Sequence, residues 1–161
     1  MTDFGQLIPL LVNARLEFIL VGGAAATAHG SARLTADLDI VYRRTKENVA
    51  RLVRALAPCR PYPRGAPAGL PFLWEEGTVW NGLNFTRITA LGAVDLLGEI
   101  TGGGGFDELL PHAVTLRLFG VECRCLGLER LIQVKRAAGR PKDFEAIAEL
   151  EAILEERKRK S

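Results

Sequence analysis

Cysteine is scarce in this chain of 161 residues, and histidine scarcer still. Cys59, Cys123 and Cys125 are odd in number and include no Cys-x-x-Cys pair. Only His29 and His112 are available to complete a zinc set, so a structural zinc site is not expected. The plain reading is free thiols in a reducing cytosol. Long apolar runs are missing too. The longest, near Phe18–Ala28, is interrupted by glycine and threonine, which excludes a membrane-spanning helix of about 20 residues. No basic-then-apolar leader opens the sequence, so no signal peptide is expected. Charge of one sign is lacking as well. With 21 Lys and Arg against 19 Asp and Glu, the net +2 does not by itself mark a nucleic-acid binder. No internal repeat is visible. The composition is that of a globular chain, 48% hydrophobic and 25% charged. Its length suits one domain with a core that needs no staples.

Glycine, by contrast, is plentiful at 17 residues, and its placement matters. Residues 4–15 have helical spacing with Pro9 as a flaw. Phe18–Val21 is a short branched run that reads as a buried strand. It ends in Gly22-Gly23, and an alanine-rich helix, Ala24–His29, follows. Ser31–Thr35 reads as a loop and Leu38–Tyr42 as a second strand. Thr45 is placed to cap a helix running to about Ala57. Pro58–Pro71 holds five prolines and two glycines and reads as an irregular connection. Strands are expected at Leu73–Trp74, Val79–Ile88 and Ala93–Ile100. The four glycines Gly102–Gly105 read as a flexible connection, and the absence of a following Lys-Ser or Lys-Thr rejects a P-loop. Val114–Phe119 and Val121–Leu126 flank Gly120 as a hairpin. Leu128–Ala138 is a helix stopped by Gly139, and Pro141 opens a last helix with Phe144, Ile147, Leu150 and Leu154 as its apolar stripe. Glu155–Ser161 is expected to fray. The order predicts an α/β or α+β fold with one mixed β-sheet flanked by helices.

The informative segment is Phe18–Tyr42, FILVGGAAATAHGSARLTADLDIVY. Two glycines at a strand-to-helix turn let backbone N–H groups approach an anion. Asp37 and Asp39 are spaced i, i+2 on a strand and so project from one face, while Leu38 and Ile40 seat that strand in the core. Paired carboxylates repel unless a cation lies between them, and magnesium bridges carboxylates to phosphate oxygens. Asp95, a lone acid inside the apolar Gly92-Ala-Val-Asp-Leu-Leu97, is costly to bury without a partner. Three acids on two strands can hold two metal ions for in-line displacement at phosphorus. The alternatives are a glycine turn that binds nothing, a solvated strand end with Asp37 and Asp39 paired to Arg33 or Arg43, and an Asp95 bonded to backbone or to an arginine. His29 reads as a helix-end residue. Trp74 and Trp80 are either core or base-stacking.

This segment resembles the signature of the nucleotidyltransferase superfamily that includes DNA polymerase beta, a glycine pair followed by Asp-hydrophobic-Asp-hydrophobic with a third Asp on a later strand. Leu131-Ile-Gln-Val-Lys-Arg-Ala-Ala-Gly-Arg-Pro-Lys-Asp143 resembles the C-terminal motif of the AbiEii/AbiGii-type branch, small bacterial proteins often paired with an antitoxin, and Arg33-x-Thr35 is similar to that branch as well. The resemblance covers about residues 15–150. It implies a nucleotidyltransferase domain over 1–161, with a core at about 15–126 and a helical part at about 127–158. It further implies magnesium, with room for two ions, held by Asp37, Asp39 and Asp95 as metal ligands and catalytic residues. A nucleoside triphosphate would lie along Gly22, Gly23, Lys135, Arg33, Thr35 and Arg140, and its monophosphate would pass to a hydroxyl of tRNA or protein. Asp143 would either orient Lys135 or cap the last helix. A toxin role with a cognate antitoxin follows from the same branch. Two other classes stay open: a catalytically silent interaction protein with this fold, and an RNA-binding module. The latter would use Arg43, Arg44, Lys46, Arg51, Arg54, Arg60 and Arg64 together with Arg157–Lys160.

Overall fold

The computed structural model describes residues 2–161. In chain order the elements are α1 (Phe4–Asn13), β1 (Phe18–Leu20), α2 (Gly22–Ala28), β2 (Asp37–Tyr42), α3 (Lys46–Leu56), β3 (Tyr62–Pro63), α4 (Glu76–Trp80), β4 (Asn84–Thr89), β5 (Gly92–Leu97), β6 (Glu99–Ile100), β7 (Gly104–Gly105), α5 (Phe106–Leu109), β8 (Ala113–Leu118), β9 (Val121–Leu126), α6 (Leu128–Ala138) and α7 (Phe144–Lys160). Seven strands form one mixed sheet in the order β3-β4-β5-β2-β1-β9-β8. β2 and β5 run parallel, as do β1 and β9, and the remaining pairs are antiparallel. No described helix is long and apolar enough to cross a membrane.

The alternation along β2 and β5 decides where the site can be. Leu38 and Ile40 pair with Val94 and Leu96, and all four are fully buried on one face. That burial removes the whole side chain of each from water, about 1.5–3 kcal/mol apiece, and so pins the register. A one-residue slip would bury the acids instead. Asp37, Asp39 and Asp95 therefore stand on the opposite face. Thr45 caps α3 as expected, its hydroxyl accepting from the Asn48 N–H at 3.2 Å. Gly139 ends α6 in the left-handed region at φ +63°, where a side chain is disfavoured.

Several expectations change. Val79–Ile88 is not one strand: Glu76–Trp80 is a helix, and the strand starts at Asn84. Leu73–Trp74 is not a strand either, because the Trp74 indole N–H donates to Val53 O at 2.9 Å and so packs the segment onto α3. The glycine run is not a loose connection. β6 and β7 form a hairpin, with Gly102 pressed so closely on Ala137 of α6 that no Cβ fits between them. Phe144 is exposed, and the apolar stripe of α7 starts at Ile147. The charged tail continues α7 to Lys160, held by Arg157.

That hold involves His29. Its Nε2 lies 2.7 Å from Leu126 O, and its Nδ1 lies 3.1 Å from an Arg157 guanidinium nitrogen, which can only donate. The ring is thus held neutral, with Nε2 carrying the proton. Burial lowers its pKa, the Leu126 carbonyl opposes this, and the Arg157 charge adds to it. The folded chain then takes up a proton less readily than the unfolded one, so stability is lost as pH falls below about 6.5. Thermal melts between pH 7.5 and 5 should show a steeper acid loss in the wild type than in His29→Gln. Equal slopes would remove His29 from this role.

Candidate active site

Asp39 and Asp95 face each other across the β2–β5 ladder, directly in register. Burial pushes the Asp39 pKa up to about 8, with the Asp95 carboxyl and then the charge of Asp37 acting in the same direction; a Gly23 backbone N–H opposes them. Asp37 is tied on its outer oxygen, with Arg64 Nη1 donating to its Oδ2 at 2.9 Å. The Oδ1 atoms of Asp37, Asp39 and Asp95 are all buried without a hydrogen-bond partner among the described residues. Three orphaned carboxylate oxygens at one strand start are unfavourable unless something positive meets them, and hard cations take such ligands. No set of three or more His, Cys, Asp or Glu side chains is already gathered into a metal-holding geometry among the described residues. The acids are thus suited by chemistry to a divalent cation but not closed around one.

The glycine turn is shaped by these acids. Gly22 has φ +59°, and a Cβ there would lie 3.0 Å from Asp39 Cγ and nearer still to Oδ2. A Cβ on Gly23 would meet Thr35 Oγ1 at 2.5 Å. Two close approaches, one by the carboxylate and one by the loop hydroxyl, account for the pair.

Beside Asp39 and Asp95 opens a cleft of about 440 Å³. Gly22, Asn84 and Leu97 line it near the acids, the β6–β7 hairpin contributes Glu99, Ile100 and Thr101, and α6 supplies Leu131, Val134 and Lys135. Arg140 stands at its edge. Asp143 is buried and organises the two cations: Arg140 Nε donates to it at 2.8 Å, and Lys135 Nζ lies 4.0 Å away. It makes no side-chain cap on α7, so orientation is its role. Asp143→Ala would leave the largely buried Lys135 side chain without its carboxylate and release the half-exposed Arg140. A loss of about 1–2 kcal/mol is expected after allowing for solvent screening of Arg140, checked by thermal and urea melts.

The other sequence candidates fall elsewhere. Arg33 pairs with Glu145 at 3.4 Å, and Thr35 Oγ1 lies 3.3 Å from Asp37 O. Neither lines the acid cleft. Both border a smaller cavity of about 100 Å³ that also touches Gly23 and shares Lys135 with the acid cleft. Much of the basic cluster is internally committed. Arg43 is bound to Glu17 and Asp107, and Arg44 reaches the Tyr42 hydroxyl and Gly82 O and lies over the Trp80 ring at 5.1 Å. Arg51 donates to Arg15 O. Trp80 thus supports Arg44 and lies outside the acid cleft. All three cysteines are free and buried; burial pushes the Cys123 and Cys125 thiols up to about 12, which keeps them protonated and unreactive. Sequence reasoning missed Arg64, Asn84 and the hairpin wall, which only the sheet order brings to the acids.

The arrangement defines a nucleotidyltransferase-like fold. The chain superimposes on a candidate nucleotidyltransferase from Thermotoga maritima with a TM-score of 0.56 at 15% identity, over 92% of this chain and 93% of that one. It superimposes on the lincosamide antibiotic adenylyltransferase LnuA, solved with lincomycin bound, with a TM-score of 0.60 at 14% identity, over 91% and 93% respectively. These likenesses establish the fold. No protein-family model matches the sequence, and no curated protein matches it closely enough to count as a relative.

Proposed function

We propose that this chain is a magnesium-dependent nucleotidyltransferase that moves a nucleoside monophosphate from a nucleoside triphosphate to a hydroxyl acceptor. The observation that carries this reading is the three orphaned, buried carboxylate oxygens of Asp37, Asp39 and Asp95 beside a cleft edged by Lys135 and Arg140. The fold shared with an adenylyltransferase supports it.

Magnesium, when bound, supplies charge neutralisation for the triphosphate and acidifies the attacking hydroxyl. Asp39 and Asp95 would hold it, with Asp37 contributing the third carboxylate. Lys135 and Arg140, steadied by Asp143, hold the phosphates. Gly22 and Gly23 keep the turn thin enough for phosphates to lie close to Asp39. The cleft, dry on its Leu97, Leu131 and Val134 side, takes the nucleoside. The acceptor oxygen bonds to the α-phosphorus, the bond to pyrophosphate breaks, and the hydroxyl proton passes toward Asp95.

The acceptor is a hydroxyl of tRNA or of a protein, and the biological role is that of a toxin restrained by a cognate antitoxin. Both follow from the resemblance of Leu131–Asp143 and Arg33-x-Thr35 to the AbiEii/AbiGii-type branch. Residues 1–161 work as one unit, because β2 and β5 supply the acids while α6 and the turn after it supply Lys135 and Arg140. Calorimetry is the first test. Binding of a non-hydrolysable triphosphate that requires magnesium supports the enzyme; no binding with magnesium present supports a silent interaction protein instead.

A further inference from the structure

Arg64 is the cation that the sequence did not connect to the acids. It follows β3, and its backbone N–H donates to Thr86 O at 3.3 Å. Thr86 is the β4 partner of Asp95, so the main chain of Arg64 is anchored close to the acid pair. Its guanidinium is half-exposed, and among the described residues its side-chain hydrogen bond goes to Asp37 Oδ2. The chain beyond it, Gly65-Ala-Pro-Ala-Gly69, lacks regular structure and has two glycines with positive φ. The side chain can therefore leave Asp37 without disturbing the sheet.

Before any metal arrives, the one cation paired with the three carboxylates among the described residues is the Arg64 guanidinium, on Asp37. A divalent cation that uses Asp37 must displace that guanidinium. Once displaced, it remains tethered through Thr86, the β4 partner of Asp95, and so stays beside the acids. Guanidinium groups bind phosphate oxygens at least as well as carboxylates, through the same forked geometry. We propose that Arg64 is an exchangeable counter-ion: it neutralises Asp37 in the resting chain and passes to a phosphate oxygen when a divalent cation takes Asp37. This inference rests on the cation reading above and gives Arg64 a phosphate-binding role in it.

Exchange has a signature that a merely structural ion pair lacks, because its two effects have opposite signs. Removing Arg64 frees Asp37 for the metal but removes a phosphate ligand. The full chain, wild type, Arg64→Ala and Arg64→Lys, is titrated with Mn²⁺ alone, the free ion being followed by electron paramagnetic resonance. It is then titrated with inorganic tripolyphosphate at saturating Mn²⁺, and melting curves confirm that the variants are folded. Arg64→Ala should bind Mn²⁺ about three-fold more tightly than wild type, as befits a half-exposed pair. It should bind tripolyphosphate about five-fold or more weakly. Arg64→Lys should fall between the two in both titrations. Mn²⁺ binding by wild type with unchanged or weaker affinity in Arg64→Ala, or tripolyphosphate binding that is not weakened, overturns the exchange while leaving the metal site standing. No Mn²⁺ binding by either protein overturns the cation reading and the exchange together.

Discussion

Asp39→Asn is expected to abolish nucleotidyl transfer and at the same time to make the protein more stable. The two effects have one cause. Asp39 is half-buried, faces Asp95 across the ladder and has its pKa pushed up to about 8. Its folded pKa thus lies above its unfolded value of about 3.8, so between those limits the folded chain holds more protons than the unfolded one. Stability is full below about pH 4, declines as pH rises, and stops declining above about pH 8. Asparagine keeps the shape and can donate to Asp95 but never has to ionise. Asp39→Asn should be about 1–3 kcal/mol more stable than wild type at pH 8, raising the melting temperature by several degrees. The gain should vanish near pH 4. Saturating Mg²⁺ should narrow the gap, because an ion that binds only the folded wild type stabilises it. Transfer should fall by about a thousand-fold or more, in keeping with the loss of charged groups that act directly on the transferring phosphoryl. Melting curves from pH 4 to 8 with and without Mg²⁺ check the first effect. An Asp39→Asn protein less stable than wild type at pH 8 would mean that the acid pair carries no strain.

Gly22→Ala should be the most disruptive change of a single methyl group. At φ +59° an alanine costs about 1–2 kcal/mol in backbone strain alone. Its Cβ would also collide with the Asp39 carboxylate, which stands opposite Asp95 in the β2–β5 ladder. Overpacking of that kind adds about 1–3 kcal/mol, so a total of about 2–4 kcal/mol and a fall of roughly 5–15 °C in melting temperature are expected. The double-mutant cycle with Asp39→Ala separates the two parts. With the carboxylate gone, only backbone strain remains, and the penalty of Gly22→Ala should fall by about half. Full additivity in that cycle would show that the glycine serves the turn and not the acid.

Much of this site was legible because its parts are local. The i, i+2 spacing of Asp37 and Asp39, with Leu38 and Ile40 between them, states both the strand and the face. Asp95 stood out as an acid in an apolar strand, and its register opposite Asp39 is what a third ligand needs. Gly139, Thr45 and the hairpin about Gly120 carry local turn and cap chemistry and fell where expected. The failures are non-local. Val79–Ile88 has the branched and aromatic content of a strand, but Arg44 bonding to Gly82 O and the stacking of Arg44 on Trp80 stabilise a helix over its first part. The Gly102–Gly105 run looked slack because glycine is flexible in isolation; contact with Ala137 on α6, more than 30 residues away in sequence, makes it a wall of the cleft. Arg64 lies in a proline-rich stretch with no motif, and only the β3–β4–β5–β2 order brings it to Asp37. Pairings set by sheet order are not encoded in spacing, which is why the acids could be read and their counter-ion could not.

The central claim is that Asp37, Asp39 and Asp95 support nucleotidyl transfer. Incubating the full chain with Mg²⁺ and each α-³²P-labelled nucleoside triphosphate in turn, in the presence of bulk tRNA and soluble protein, tests it most directly. The account predicts magnesium-dependent label on one acceptor class from at least one triphosphate, lost when chelator is added and absent with Asp39→Asn. Label that persists undiminished in Asp39→Asn, or no label with any triphosphate from a folded, magnesium-saturated chain, would contradict it.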